Sequence, residues 1–189
     1  MSGPRSFDPV VVGNRETDAW VSYYRRDWGK FLRASVGMVS AGFGMNRLRT
    51  LEGAWYVLKA NQLWAPSPDN QPDGARAYMR RFYAMVTEGD VDPAKAAWLE
   101  VEWWRVHRAH QHDENVPQDE LEGALTDLYS YAYSVDADAV RLAARNRVKA
   151  MDLSDRWVAN GCDLTDPVLV EERRTRKRAR AALRKAVGD

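Results

Sequence analysis

"DPAKAAWLEVEWWRVHRAHQHDE", residues 92–114, holds three of the chain's eight tryptophans and all three of its histidines. Asp92-Pro93 has the chemistry of a helix start. The carboxylate accepts from the first free N–H groups, and proline at the first helical position gives up no hydrogen bond. At about 100° per residue, Leu99, Trp103, Val106, His107 and His110 fall within about 60° of one line, with Glu100 at its edge. Glu102, Arg105 and Arg108 point elsewhere. That is a helix with one broad apolar face, built to bury against other helices.

Working outward, the same punctuation recurs. Asp166-Pro167 repeats the Asp-Pro start, Pro117 and Asp136 open two more helices, and Gly44, Gly89 and Gly161 stand where helices should stop. The segments expected are 15–42, 46–64, 73–88, 93–112, 117–134, 136–160 and 166–187, with APSPDNQPDG (65–74) an irregular connection. Five carry apolar stripes at helical spacing. Examples are Trp28, Phe31, Ser35 and Val39 in the first, Leu48, Leu51, Trp55 and Leu58 in the second, and Leu121, Leu125 and Leu128 in the fifth. No alternating strand pattern and no solenoid repeat competes. The expected fold is all-α, a single-domain bundle of about seven helices over residues 15–172. A flexible segment over 1–14 is expected before it and a basic helical extension over 173–189 after it.

At 189 residues and 45% hydrophobic, the chain supports one well-buried core. A net charge of +1 supplies no global attraction to nucleic acid or to a membrane surface. No apolar run is long enough to span a bilayer, and the N-terminal residues lack a signal-peptide core. The single cysteine, Cys162, cannot form an internal disulfide, which fits a reducing cytoplasm. Following Gly161 at a helix end, it suits a capping contact better than an activated thiolate.

Two helices bring polar groups toward one interior. Glu100, His107 and His110 lie on or beside the face of Trp103, and Arg147 and Asp155 flank Met151 on the sixth segment. Such a set supports either a metal or acid–base site or a structural network in which His107 meets Asp155 and Arg147 meets Glu100. Di-iron bundles require Glu-x-x-His, which is absent. His112-Asp113 matches the dipeptide of helical phosphohydrolases, but Glu114 and Asn115 replace the residues that usually follow it. No phosphate-binding glycine loop or nucleophile elbow is present.

Aromatics sit beside arginine in Tyr23-Tyr24-Arg25-Arg26, Arg80-Arg81-Phe82-Tyr83 and Trp103-Trp104-Arg105. This pattern suits either a stacking surface or the boundary of an apolar face. The ending EERRTRKRARAALRKAVGD (171–189) holds eight Arg and Lys against three acids. Arg173, Arg174, Arg176, Lys177, Arg178 and Arg180 are the residues expected to contact an acidic protein partner or nucleic acid, with only Thr175, Ala179, Ala182 and Ala186 to dock the helix. Removing residues 173–189 is then expected to leave the core folded. The small residues Ala34, Gly37 and Ala41 permit a close helix approach, within the chain or from a second copy in a homo-oligomer.

The strings ANQLWAPSPDNQPDGAR, LEVEWWRVHR and AMDLSDRWVANGCD resemble those of an uncharacterised family of small Arg/Trp-rich helical proteins from high-GC actinobacteria. The resemblance spans most of residues 15–172. It implies a cytoplasmic bacterial domain and carries over no catalytic residue, metal or cofactor. The functional expectation is a cytosolic binding domain using aromatic/Arg surfaces and the basic C-terminal helix. The alternative is a metal- or cofactor-dependent enzyme with its site between the fourth and sixth helices.

Overall fold

Carboxylates and prolines set where the helices begin. In the computed structural model, which describes residues 4–112 and 115–188, Asp8 accepts from the N–H groups of Val10 and Val11 with Pro9 as the first helical residue. Asp27 caps Lys30, Asn46 caps Arg49, and Asp92 caps Ala94. Asp166 accepts from Val168 N–H at 2.8 Å. The described residues form an all-α bundle of eight helices: α1 (Pro9–Tyr24), α2 (Trp28–Phe43), α3 (Arg47–Trp64), α4 (Pro72–Val86), α5 (Pro93–Gln111), α6 (Gln118–Tyr133), α7 (Ala137–Ala159) and α8 (Val168–Val187). None of the described helices is long and apolar enough to cross a membrane.

The eighth helix comes from a break inside 15–42. Arg26 takes a left-handed conformation with φ 57°, and Asp27 N–H closes the end of α1 on the Ser22 carbonyl at 2.9 Å. Asp27 then caps the next helix through Lys30 N–H at 3.1 Å. No glycine marks the turn. Arg26 is held instead by the Ala65 carbonyl at 2.9 Å, with its guanidinium 5.1 Å from the Tyr23 ring centre. The N-terminal boundary also differs from the expectation: α1 starts at Pro9, inside 1–14, and Phe7 and Val12 are buried. Gly44 and Gly161 have positive φ at the ends of α2 and α7, whereas α4 stops at Val86 with Thr87 as its cap, and Gly89, also of positive φ, lies in the turn beyond.

Each helix packs on its neighbours in sequence, and α8 returns to α1, so the bundle closes into a ring. Two glycines permit close crossings on α1. A Cβ on Gly13 would stand 3.0 Å from the Lys177 Cα of α8, and one on Gly37 of α2 would meet the Arg15 side chain at 2.7 Å. The Ala34-Gly37-Ala41 strip thus faces α1 at Gly37, within the chain. The ring also reverses the expected face of α3, apart from the buried Leu58, and widens that of α8, where Thr175 and Ala179 are buried as expected. Leu48, Leu51 and Trp55 of α3 are exposed, at 81%, 54% and 47%, while Thr50, Gly53, Ala54 and Val57 face inward. In α8, Arg176 is fully buried with Glu172, Leu183 and Val187.

Candidate ligand cavity

Because odd-numbered and even-numbered helices run in opposite directions around the ring, the C-termini of α1, α3, α5 and α7 gather at one end. A cavity of about 630 Å³ lies inside, with walls drawn from all eight helices. Its α1 wall runs from Val12 to Tyr24, roughly 18 Å at 1.5 Å per residue. The far end is hydrocarbon and aromatic: Phe7, Val39, Phe43, Phe82, Val86 and Leu128. Trp20, Trp103 and Trp104 ring the middle. The exposed lining residues Arg26, Ser67, His112 and Ala159 all lie where the odd helices end, and they mark the mouth.

Just inside the mouth, a polar network ties α1, α5 and α7 together. His107 Nε2 is 3.1 Å from Asp155 Oδ2, Gln111 Nε2 donates to Asp155 Oδ1 at 2.5 Å and to the Tyr24 hydroxyl at 2.6 Å, and Tyr24 donates to Asp155 at 3.4 Å. The His107–Asp155 neighbourhood is the one that their helical phases indicated. Burial and the Asp155 charge push the Tyr24 phenol well above its ordinary pKa. His110 lies outside this set, with Nδ1 2.8 Å from the Val116 carbonyl and Nε2 3.6 Å from Asp152.

Arg147 and Glu100 do not form the direct pair expected. Glu100 accepts from the Tyr83 hydroxyl at 2.6 Å and from Trp104 Nε1 at 3.1 Å. Burial, followed by the Glu100 charge, raises Tyr83 well above the usual phenol range. Arg147 donates to the Tyr129 hydroxyl at 2.8 Å and pairs with Glu16 at 3.1 Å. Glu16 was not among the candidate residues, yet it organises the interior. Arg176 reaches it at 2.9 Å and Arg180 at 2.6 Å. Burial alone would raise the Glu16 carboxyl, but Arg147, Arg180 and Arg176 outweigh it and hold the carboxyl far below its ordinary range. Arg176 also pairs with Glu172, donates to Ser154 at 3.2 Å, and places its guanidinium 4.7 Å from the Trp20 ring centre. Only the chemistry of arginine beside glutamate at helical spacing, as in Glu172 and Arg176, could have signalled this from sequence.

The remaining partner-binding candidates divide by face. Arg173 donates to Asp18 at 2.9 Å and to the Asn14 carbonyl at 3.1 Å, and Lys177 presses its backbone on Gly13. Arg174 and Arg178 point outward and share Glu171 at 3.7 Å each. In all three aromatic–arginine strings the rings face inward: Tyr24, Tyr83 and Trp103 line the cavity, while Arg25, Arg81 and Arg105 are exposed. Among the described residues, no three His, Cys, Asp or Glu side chains come together as a metal site. The His112-Asp113 dipeptide and Glu114 run into residues outside those described. No family model matches the chain, and no curated protein or solved structure matches it.

Proposed function

We propose that the chain is a small-molecule-binding protein of the cytoplasm whose ligand occupies the interior of the helical ring. The observation that carries this is the cavity itself. Its volume lies within the roughly 300–1,000 Å³ of ligand pockets, and its wall combines apolar and aromatic side chains with a few convergent polar groups. Protein interiors otherwise pack at the density of organic crystals, so a space of this size between eight helices costs stability unless something fills it. Surface contact through α8 has fewer arginines to draw on than the sequence suggests, because Arg173, Arg176 and Arg180 are engaged with α1. The single cysteine fits a reducing compartment.

The test is equilibrium binding of prodan, an uncharged apolar dye whose emission shifts to the blue in a dry site. Saturable binding at one dye per chain, displaced by tridecane, supports the proposal. Emission that rises without saturation, or that tridecane leaves unchanged, sinks it.

A further inference from the structure

Provided that the cavity is a binding site as proposed above, its entrance specifies one end of the ligand. Two residues that line the mouth, Arg26 of the α1–α2 turn and Arg108 of α5, converge on the end of α3. Arg108 donates through Nη2 to the Trp64 carbonyl at 2.7 Å and through Nη1 to the Pro66 carbonyl at 3.3 Å. Arg26 donates through Nη2 to the carbonyl between them, that of Ala65, at 2.9 Å. Three successive carbonyls thus gather two guanidiniums at one place. Each also lies against an aromatic ring, Arg108 at 4.3 Å from the Trp64 ring centre and Arg26 at 5.1 Å from that of Tyr23, which orders both before a ligand arrives.

Carbonyls satisfy N–H groups but carry no net charge. A guanidinium has five N–H donors; these bonds use one of Arg26's and two of Arg108's, and neither residue pairs with a carboxylate among the described residues. The end of α3 supplies only roughly half a negative charge, so two cations exceed what capping it needs. The lining as a whole holds four arginines against three carboxylates. The inner two, Arg147 and Arg180, pair with Glu16, while Asp155 near the mouth is taken by His107, Gln111 and Tyr24. The unmatched positive charge therefore stands at the mouth, on Arg26 and Arg108. Inward from them the wall turns to Trp20, Trp103 and Trp104, and then to Val39, Phe43 and Phe82. A charged group beside the two arginines stays in contact with water, so no charge has to be buried as hydrocarbon behind it fills the ring. We propose that the cavity binds an elongated apolar molecule ending in an anionic group, a carboxylate or phosphate, held at the mouth by Arg26 and Arg108.

The test compares four probes with the same twelve-carbon chain as displacers of prodan: dodecanoate, dodecyl phosphate, dodecan-1-ol and dodecyltrimethylammonium. The tail is common to all, so differences report the head. The tighter of the two anions is expected to lead both the alcohol and the ammonium by about tenfold, and which anion leads names the head group. Added salt should reduce that lead and leave the alcohol unchanged. Arg108→Gln keeps a donor for the Trp64 carbonyl but removes the charge, and it should shrink the lead about threefold or more at unchanged alcohol affinity. The parent series and its salt dependence decide the matter even where that variant fails to fold. A lead below about threefold in the parent, or one that salt or Arg108→Gln leaves intact, overturns the assignment of an anionic end. Where tridecane still displaces the dye, that failure leaves the cavity as a binding site; where tridecane fails as well, the binding reading falls with it.

Discussion

Helices α3 and α8 break the same rule in opposite directions. α3 presents Leu48, Leu51 and Trp55 at regular helical spacing, and all three are exposed. α8 is dense with arginine, and it buries Arg176 completely beside Glu172. In a closed ring a helix is covered by two flanking helices and by whatever faces it across the interior, so its own composition does not settle which side is inside. Small residues decide for α3, where Gly53, Ala54, Val57 and Ala60 let the neighbouring helices approach. For α8 the deciding residue is Glu16, on a helix 160 positions away from Arg176.

The largest effect expected from this contrast is the loss of α8. Removing residues 173–189 takes away Leu183 and Val187 from the core together with Arg176 and Arg180, leaving the buried Glu16 with Arg147 alone. Cooperative thermal unfolding should disappear, which circular dichroism would show. A cooperative transition near that of the full chain would return α8 to the role of an appended surface helix.

Next comes the centre of the cluster. Glu16→Ala strands three guanidiniums around one site and should cost about 3–5 kcal/mol in denaturant unfolding. Its pH signature has a definite sign. The Glu16 carboxyl is held below its ordinary 4.5 in the folded chain, so its stabilisation is full above that pH and is lost as pH falls through the folded-state value. Glu16→Gln should therefore flatten the loss of stability below pH 4.5 relative to the parent. An unchanged slope would mean that other carboxylates govern acid unfolding.

The mouth network should weigh less. His107→Ala leaves Asp155 short of a partner and should cost roughly 1–3 kcal/mol, with the double variant carrying Asp155→Asn less than additive. A His107→Ala protein as stable as the parent would break the structural role of that pair. Smallest of all, Leu48→Ser on the outer face of α3 should change stability by no more than about 0.5 kcal/mol. A larger loss would place that face against something.

Much of the fold was legible, because helix starts and stops are local. Asp92-Pro93, Asp166-Pro167 and the positive-φ glycines Gly44 and Gly161 act through atoms a few residues apart. The break at Arg26 was not, since its left-handed turn is secured by the Ala65 carbonyl, 39 positions away. The site divides in the same way. His107 and Asp155 share facing stripes that helical phase reveals, whereas Glu16, in a weakly patterned α1, acquires its meaning only when α7 and α8 close over it.

The claim that the ring encloses a space for a ligand is tested most directly at Gly42. This residue is buried, lines the cavity, and has nothing within 4 Å of where a Cβ would stand. Gly42→Leu should therefore fill part of the cavity without a clash near the backbone. It also replaces a helical glycine by a better helix former, a gain of roughly 0.5–1 kcal/mol. Measured together by prodan titration and thermal unfolding, the variant should bind the dye at least tenfold more weakly and unfold at the same temperature as the parent or higher. A protein that unfolds earlier, or one that binds the dye as before, would contradict the account.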